Sequence, residues 1–217
     1  MNAENKEKID TMNNMKVVEG FSEAVPQLFI QMTAWRIGIL EEDFGIIFNY
    51  VKMIFSCGSA SFALLSRFLE EIREGMSYIL QIVSVVLVAM ILGSRVFVCA
   101  SLFSLDGPLR YTGFLPPALS FFLAWVTDCV FRKEEVSLFR AYIKATLLPP
   151  QDKAGVVASL VYCAFGLVFW LLTMSQPLNV FVFVGVTVAH ILGGIGWMIL
   201  TQNGHKFCME KKCSCLT

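Results

Sequence analysis

Glu19, Glu23, Gln27 and Gln31 recur every four residues at the front of an otherwise apolar segment. On a helix that spacing drifts by only about 40° per step, so the four side chains form one continuous stripe. Carboxylates and carboxamides in such a row present acceptors and donors to anything polar that moves along it. The same row would serve equally as a hydrogen-bonded seam between helices, and both roles stand open at this level. Pro26 interrupts the stretch. It has no backbone N–H, so it either kinks the helix or sits in its first turn.

Arg95 is the second polar group in an unusual setting, inside ILGSRVFVCASLF. An arginine at the centre of a membrane helix costs about 2.5–3.5 kcal/mol on insertion scales and calls for a partner. Glu23 and Asp128 are the acids available in apolar stretches. The expected partner of Arg95 is Glu23 or a neighbouring glutamine; Asp128 lies near the end of its segment, within reach of the interface. Arg36 and Lys52 flank the acidic turn EED at 41–43 and are expected to snorkel towards it. His190 is alone in the middle of an apolar run and reads as an interhelical donor rather than a proton relay. No second histidine, metal-ligand set or serine–base arrangement stands beside it in the sequence, so neither catalysis, metal nor cofactor is assigned.

The elements that must hold these residues follow from composition. Of 217 residues, 56% are hydrophobic and 16% charged, against about 25% charged in an ordinary soluble domain. Mean hydropathy is +0.66. Six apolar segments are expected, at roughly 23–40, 44–66, 76–105, 111–131, 154–175 and 178–200. Runs this long and this continuously apolar indicate membrane helices rather than the alternating strands of a barrel. The fold class is therefore an all-α polytopic membrane bundle. Its first two segments, broken by Pro26 and by the small polar run SCGSAS, are either spanning or re-entrant. A polar segment at 1–22 precedes the helical domain at 23–200, and a basic tail follows at 201–217. No cleavable signal peptide is visible in the polar start.

Charge sets orientation. The positive-inside rule places both termini in the cytoplasm, because Arg110 is then the one loop cation left outside. The formal net charge of zero gives no global basic field for nucleic acid. No phosphate-cradling glycine–lysine loop is present, which argues against nucleotide-driven pumping. In the last segment Gly185, Ala189 and Gly193 repeat every four residues as a small-residue stripe. The favoured use of that stripe is close packing within the chain, with self-association or a single-span partner as the other. In the tail, Cys208, Cys213 and Cys215 stand beside lysines, a setting suited to palmitoylation next to a basic patch.

The stretch E-A-V-P-Q-L-F-I-Q, with Glu23, Pro26, Gln27, Leu28 and Gln31, resembles the signature of XK-related membrane proteins. GSASFALLS at 58–66 and GSRVFVCASLF at 93–103 are similar to later segments of that family, in the same order. The resemblance implies an eight-span plasma-membrane fold with membrane-inserted hairpins and cytoplasmic termini. On that pattern the chain begins at the signature helix, so two preceding spans are expected to be missing. Several members are phospholipid scramblases that expose phosphatidylserine in apoptosis, some after caspase cleavage; here EKID, ending at Asp10, is the one candidate site weighed. Other members act as partner subunits of a cell-surface complex. The expectation is energy-independent lipid scrambling with phospholipids as substrate, and Glu19, Glu23, Gln27, Gln31 and Arg95 as the polar track. The alternative is a non-transporting scaffold or partner subunit.

Overall fold

The computed structural model describes residues 23–38, 43–68, 77–132, 138, 146, 150, 153–173 and 177–214, with side chains described at 23–38, 48–65, 77–130, 138, 146, 150, 153–173 and 181–201. Regular structure among them is entirely helical: α1 (Val25–Arg36), α2 (Asp43–Phe68), α3 (Tyr78–Phe103), a 3₁₀ segment (Gly107–Phe114), α4 (Leu115–Arg132), α5 (Lys153–Leu172) and α6 (Pro177–Ser214).

Four stretches are long and apolar enough to cross a bilayer: Tyr78–Phe103, Gly107–Val130, Lys153–Leu172 and Phe181–Thr201. The chain is thus a multi-pass membrane protein by the length and composition of its helices. The two helices outside this set are the first two, the ones marked as irregular by their polar residues. At 12 residues, α1 is about 18 Å long, short of the hydrocarbon thickness of about 30 Å. Pro26 falls in its first turn, where a missing N–H costs nothing. Its end is set by Gly38, whose φ of +76° is the left-handed conformation that closes helices and that glycine adopts without strain.

The bundle is organised around α3, which packs on α1, α2, α5, α6 and the 3₁₀ segment. Its best membrane window is 56% buried, against 17% for α6, so α3 is the hub and α6 a peripheral helix. Ser77 caps its start, its side chain accepting from the Leu80 N–H. Ala24 and Leu28 of α1, Met53, Ala60 and Leu64 of α2, Val88, Ile91 and Leu92 of α3 and Trp197 of α6 share one core. A second core joins Val98, Cys99 and Leu102 of α3 to Tyr162 and Phe169 of α5. A third, made of small residues, joins Ala124 of α4 to Ala154 and Ala158 of α5.

Two glycines fix how closely helices approach. A Cβ on Gly193 would stand 3.0 Å from Ile91 Cγ1 and 3.1 Å from the Leu87 carbonyl oxygen, and one on Gly196 would stand 2.7 Å from Leu87 Cδ2. These two residues let α6 lie against α3. Gly185 is exposed, and a Cβ there would meet nothing within 4 Å. The expected Gly185–Ala189–Gly193 stripe is therefore used for internal packing at its Gly193 end. A helix that leans onto its neighbour at one end carries the rest of a straight stripe away from it.

Candidate intramembrane polar site

The polar residues that come together lie on α3, α5 and α6. Ser94 and Arg95 are consecutive on α3, so they project about 100° apart and address two different neighbours. Arg95 is 1% exposed. Its Nη2 donates to Ser159 Oγ on α5 at 2.9 Å, and its Cζ stands 5.2 Å from the centroid of the Tyr162 ring, one turn further along α5. Ser94 Oγ lies 2.6 Å from His190 Nδ1 on α6 and donates to the Ile91 carbonyl at 2.8 Å. A hydroxyl has one hydrogen. With that hydrogen on Ile91, the short contact is completed by His190 Nδ1–H donating to Ser94 Oγ.

The sequence shows no serine beside His190; the fold supplies one. A hydroxyl–imidazole contact is also how an activated nucleophile begins. Here the hydroxyl has a second partner, the Ile91 carbonyl at 2.8 Å, which competes with the imidazole for its single hydrogen. The adjoining pocket, lined by Ser94, Tyr162, Cys163, Gly166, Thr187 and His190 among others, is only about 10 Å³, the room of a single water. The arrangement ties three helices together and has no space for a lipid headgroup. Among the described residues, no three of His, Cys, Asp and Glu are placed to hold a metal ion.

The expected α1 stripe is arranged differently from its sequence reading. Ala24 and Leu28, 8% and 0% exposed, form the face that α1 turns to the bundle, while Glu23 and Gln27 are exposed. The stripe is expected to face other helices or water; among the described residues no helix covers these two. Gln31 is half-buried, and its Oε1 is enclosed with no hydrogen-bond partner among the described residues. The cause is the 40° drift itself. Each step rotates the stripe towards the Ala24–Leu28 face, and only its third described member arrives at the seam. Glu19 lies outside the described residues.

Among the described residues, Arg95 reaches Ser159 and Tyr162 of α5. The acidic turn at 41–43, the expected goal of Arg36, lies outside the described side chains. The Arg36 guanidinium stands 5.1 Å from the Phe169 ring centroid and 5.9 Å from that of Phe97, a cation–π placement that binds the end of α1 to α3 and α5. Asp128 is buried, at 4% exposure. Ser120 Oγ meets the Ala158 carbonyl, and Ala124 packs with Ala154. This antiparallel register carries Asp128 past the start of α5, away from Ser159 and Arg95. Cys215 lies outside the described residues; Cys208 and Cys213 lie beyond the described side chains.

Ser94, Ser159 and Tyr162 were not singled out in the sequence. A signal existed in SLVYC, where a serine and a tyrosine three apart in an apolar run share one helix face. Comparison with protein families, curated proteins and solved structures finds nothing that matches this chain.

Proposed function

We propose that this protein is an XK-related-type subunit of the plasma membrane that lets phospholipids pass downhill between leaflets, along the outward face of α1. Phosphatidylserine exposure during apoptosis is the process that the resemblance suggests. The observation that carries the reading is the exposure of Glu23 and Gln27 on a helix held by a bundle with membrane-spanning helices. The pocket beside Ser94 and His190 has no room for a headgroup, while Glu23 and Gln27 offer polar groups on the outside. Polar side chains on a membrane-facing surface replace part of the hydration a headgroup loses in about 30 Å of hydrocarbon, while its acyl chains stay in lipid. Arg95 enters this reading as the anchor of the scaffold rather than as part of the route.

The test is bleaching of fluorescent phospholipid by dithionite in proteoliposomes. Gln27→Leu combined with Glu23→Ala is expected to slow scrambling at least tenfold while leaving the elution profile in detergent unchanged. Undiminished scrambling in the double variant removes α1 from the route.

A second reading is favoured by the length of α1. A strip of about 18 Å covers little more than half the hydrocarbon, and another protein surface would complete it. On this reading the chain is a scaffold or partner subunit, and Glu23 and Gln27 are covered by a membrane helix of another chain. A photo-crosslinker at Gln27 then captures a discrete polypeptide in cells, and the purified protein alone moves no lipid. A cytoplasmic carboxy-terminal end completes both readings.

A further inference from the structure

Length and average hydropathy disagree about α2. It has 26 residues, about 39 Å, which is ample for a hydrocarbon core of about 30 Å. Yet its described side chains, at 48–65, are not among the stretches apolar enough on average to cross. An average conceals where the polar groups point. Ser56 and Ser61 are buried, at 9% and 0% exposure. Ser61 Oγ donates to the Cys57 carbonyl at 2.7 Å, and Cys57 Sγ reaches the Ala89 carbonyl of α3 at 3.2 Å. The small polar residues that lower the average are therefore turned to α3 and largely satisfied there.

The opposite face is apolar. Phe48, Val51, Phe55 and Phe62, at i, i+3, i+7 and i+14, form one stripe, and all four are exposed, Phe55 to 74%. A helix on the surface of a water-soluble protein has the reverse polarity, with its apolar stripe inward. Lys52 and Ser59 also fall on this face. Lys52 Nζ lies 4.3 Å from the centroid of the Phe48 ring, one turn nearer the start of the helix. Folding back along the helix towards its end is how a lysine snorkels. The surface continues onto the spanning helix beside it, where Ile79, Ile82, Val83 and Val86 of α3 are exposed as well.

We infer that α2 is a fifth membrane crossing, with its Phe48–Val51–Phe55–Phe62 face against lipid acyl chains and its serine face against α3. Lipid is the occupant because the exposed stripe is continuous with the outward surface of an adjoining span. A consequence follows for sidedness. Ile37, just before α2, and Ser77, just before α3, lie on opposite sides of the bilayer.

Ile37 and Ser77 are both exposed, so cysteines there disturb no core packing, and Ser77→Cys gives up only the cap on the Leu80 N–H. Ile37→Cys and Ser77→Cys are each treated with a membrane-impermeant maleimide in sealed vesicles of defined sidedness, before and after lysis, and scored above the unsubstituted chain. One variant is expected to react before lysis and the other only after it. Reaction of both under the same condition overturns the crossing. A nitroxide at Phe55→Cys, in full-length protein returned to liposomes, is expected to collide with oxygen and to exclude a nickel chelate. Free access of the chelate overturns the acyl-facing stripe. Gel filtration in detergent establishes that each variant keeps the wild-type fold. Neither readout depends on whether the protein moves lipid.

Discussion

Ser94 Oγ and His190 Nδ1 stand 2.6 Å apart across the α3–α6 seam, and Ser94 Oγ also lies 2.8 Å from the Ile91 carbonyl. Deleting the hydroxyl leaves the imidazole N–H buried without its acceptor. In a double-mutant cycle of Ser94→Ala and His190→Ala, the coupling is expected to fall between about 0.6 and 1.7 kcal/mol, the mean and upper bound measured for hydrogen bonds between membrane helices. Reversible unfolding in mixed micelles is the measurement. A coupling near zero would mean that the contact contributes nothing to holding α6.

The Arg95–Ser159 bond joins the same helix to α5 and involves a charged donor. Ser159→Ala is expected to lower stability by about 1.5–3 kcal/mol, the range for hydrogen bonds to charged groups, and Ser159→Thr to restore most of it. Arg95→Lys does not substitute, because an ammonium lacks the planar fork that reaches Ser159 while lying over Tyr162. Thermal unfolding in detergent separates these outcomes; equal stability of the Ala and Thr variants would contradict the assignment.

The glycines of α6 differ in a way that ordinary mutagenesis detects. Gly193→Leu meets the Leu87 backbone and the Ile91 side chain, so α6 is pushed off α3. The cost is expected to exceed the about 1–3 kcal/mol usual for overpacking. Gly196→Ala meets only the flexible end of Leu87 and is milder. Gly185→Leu, in open space, leaves the midpoint of unfolding unchanged. Equal effects at Gly185 and Gly193 would show that the stripe is used along its whole length.

At the start of the 3₁₀ segment, Gly107 (φ +64°) permits the tight turn out of α3. Near its end, Gly113 leaves room for the Phe103 ring, where a Cβ would fall within 2.6 Å of Cε2. Phe103 in turn meets Phe114 edge-on at 4.5 Å and Phe29 at 5.2 Å. Gly113→Ala is expected to destabilise by about 1–3 kcal/mol, and Phe103→Leu to relieve much of that. No relief in the double variant would place the strain elsewhere.

Segment count and helical class were legible because long apolar runs in lipid have one regular solution. The irregular front third was legible too: Pro26 does sit at a helix start, and α1 is too short to cross. Direction was not legible. Spacing shows that Glu23, Gln27 and Gln31 share a stripe, but whether a stripe faces in or out depends on which neighbour α1 meets, and Ala24 and Leu28 meet it. Partner identity was hidden for the same reason. A search for acids near Arg95 overlooks Ser159, because a serine in an apolar run carries no charge to mark it. Gly193 and Gly196 were both visible as small residues of one smooth patch, while the neighbour they meet, Leu87, was not.

The hub position of α3 has a consequence for biosynthesis. Its arginine precedes Ser159 by 64 residues, and its serine precedes His190 by 96. At a translation rate of about 5–20 residues per second, several seconds pass before either partner leaves the ribosome. During that interval the nascent third helix enters the translocon with its Ser159 bond still unmade. Docking of α5 and α6 onto a third helix made seconds earlier is thus a late step in assembly.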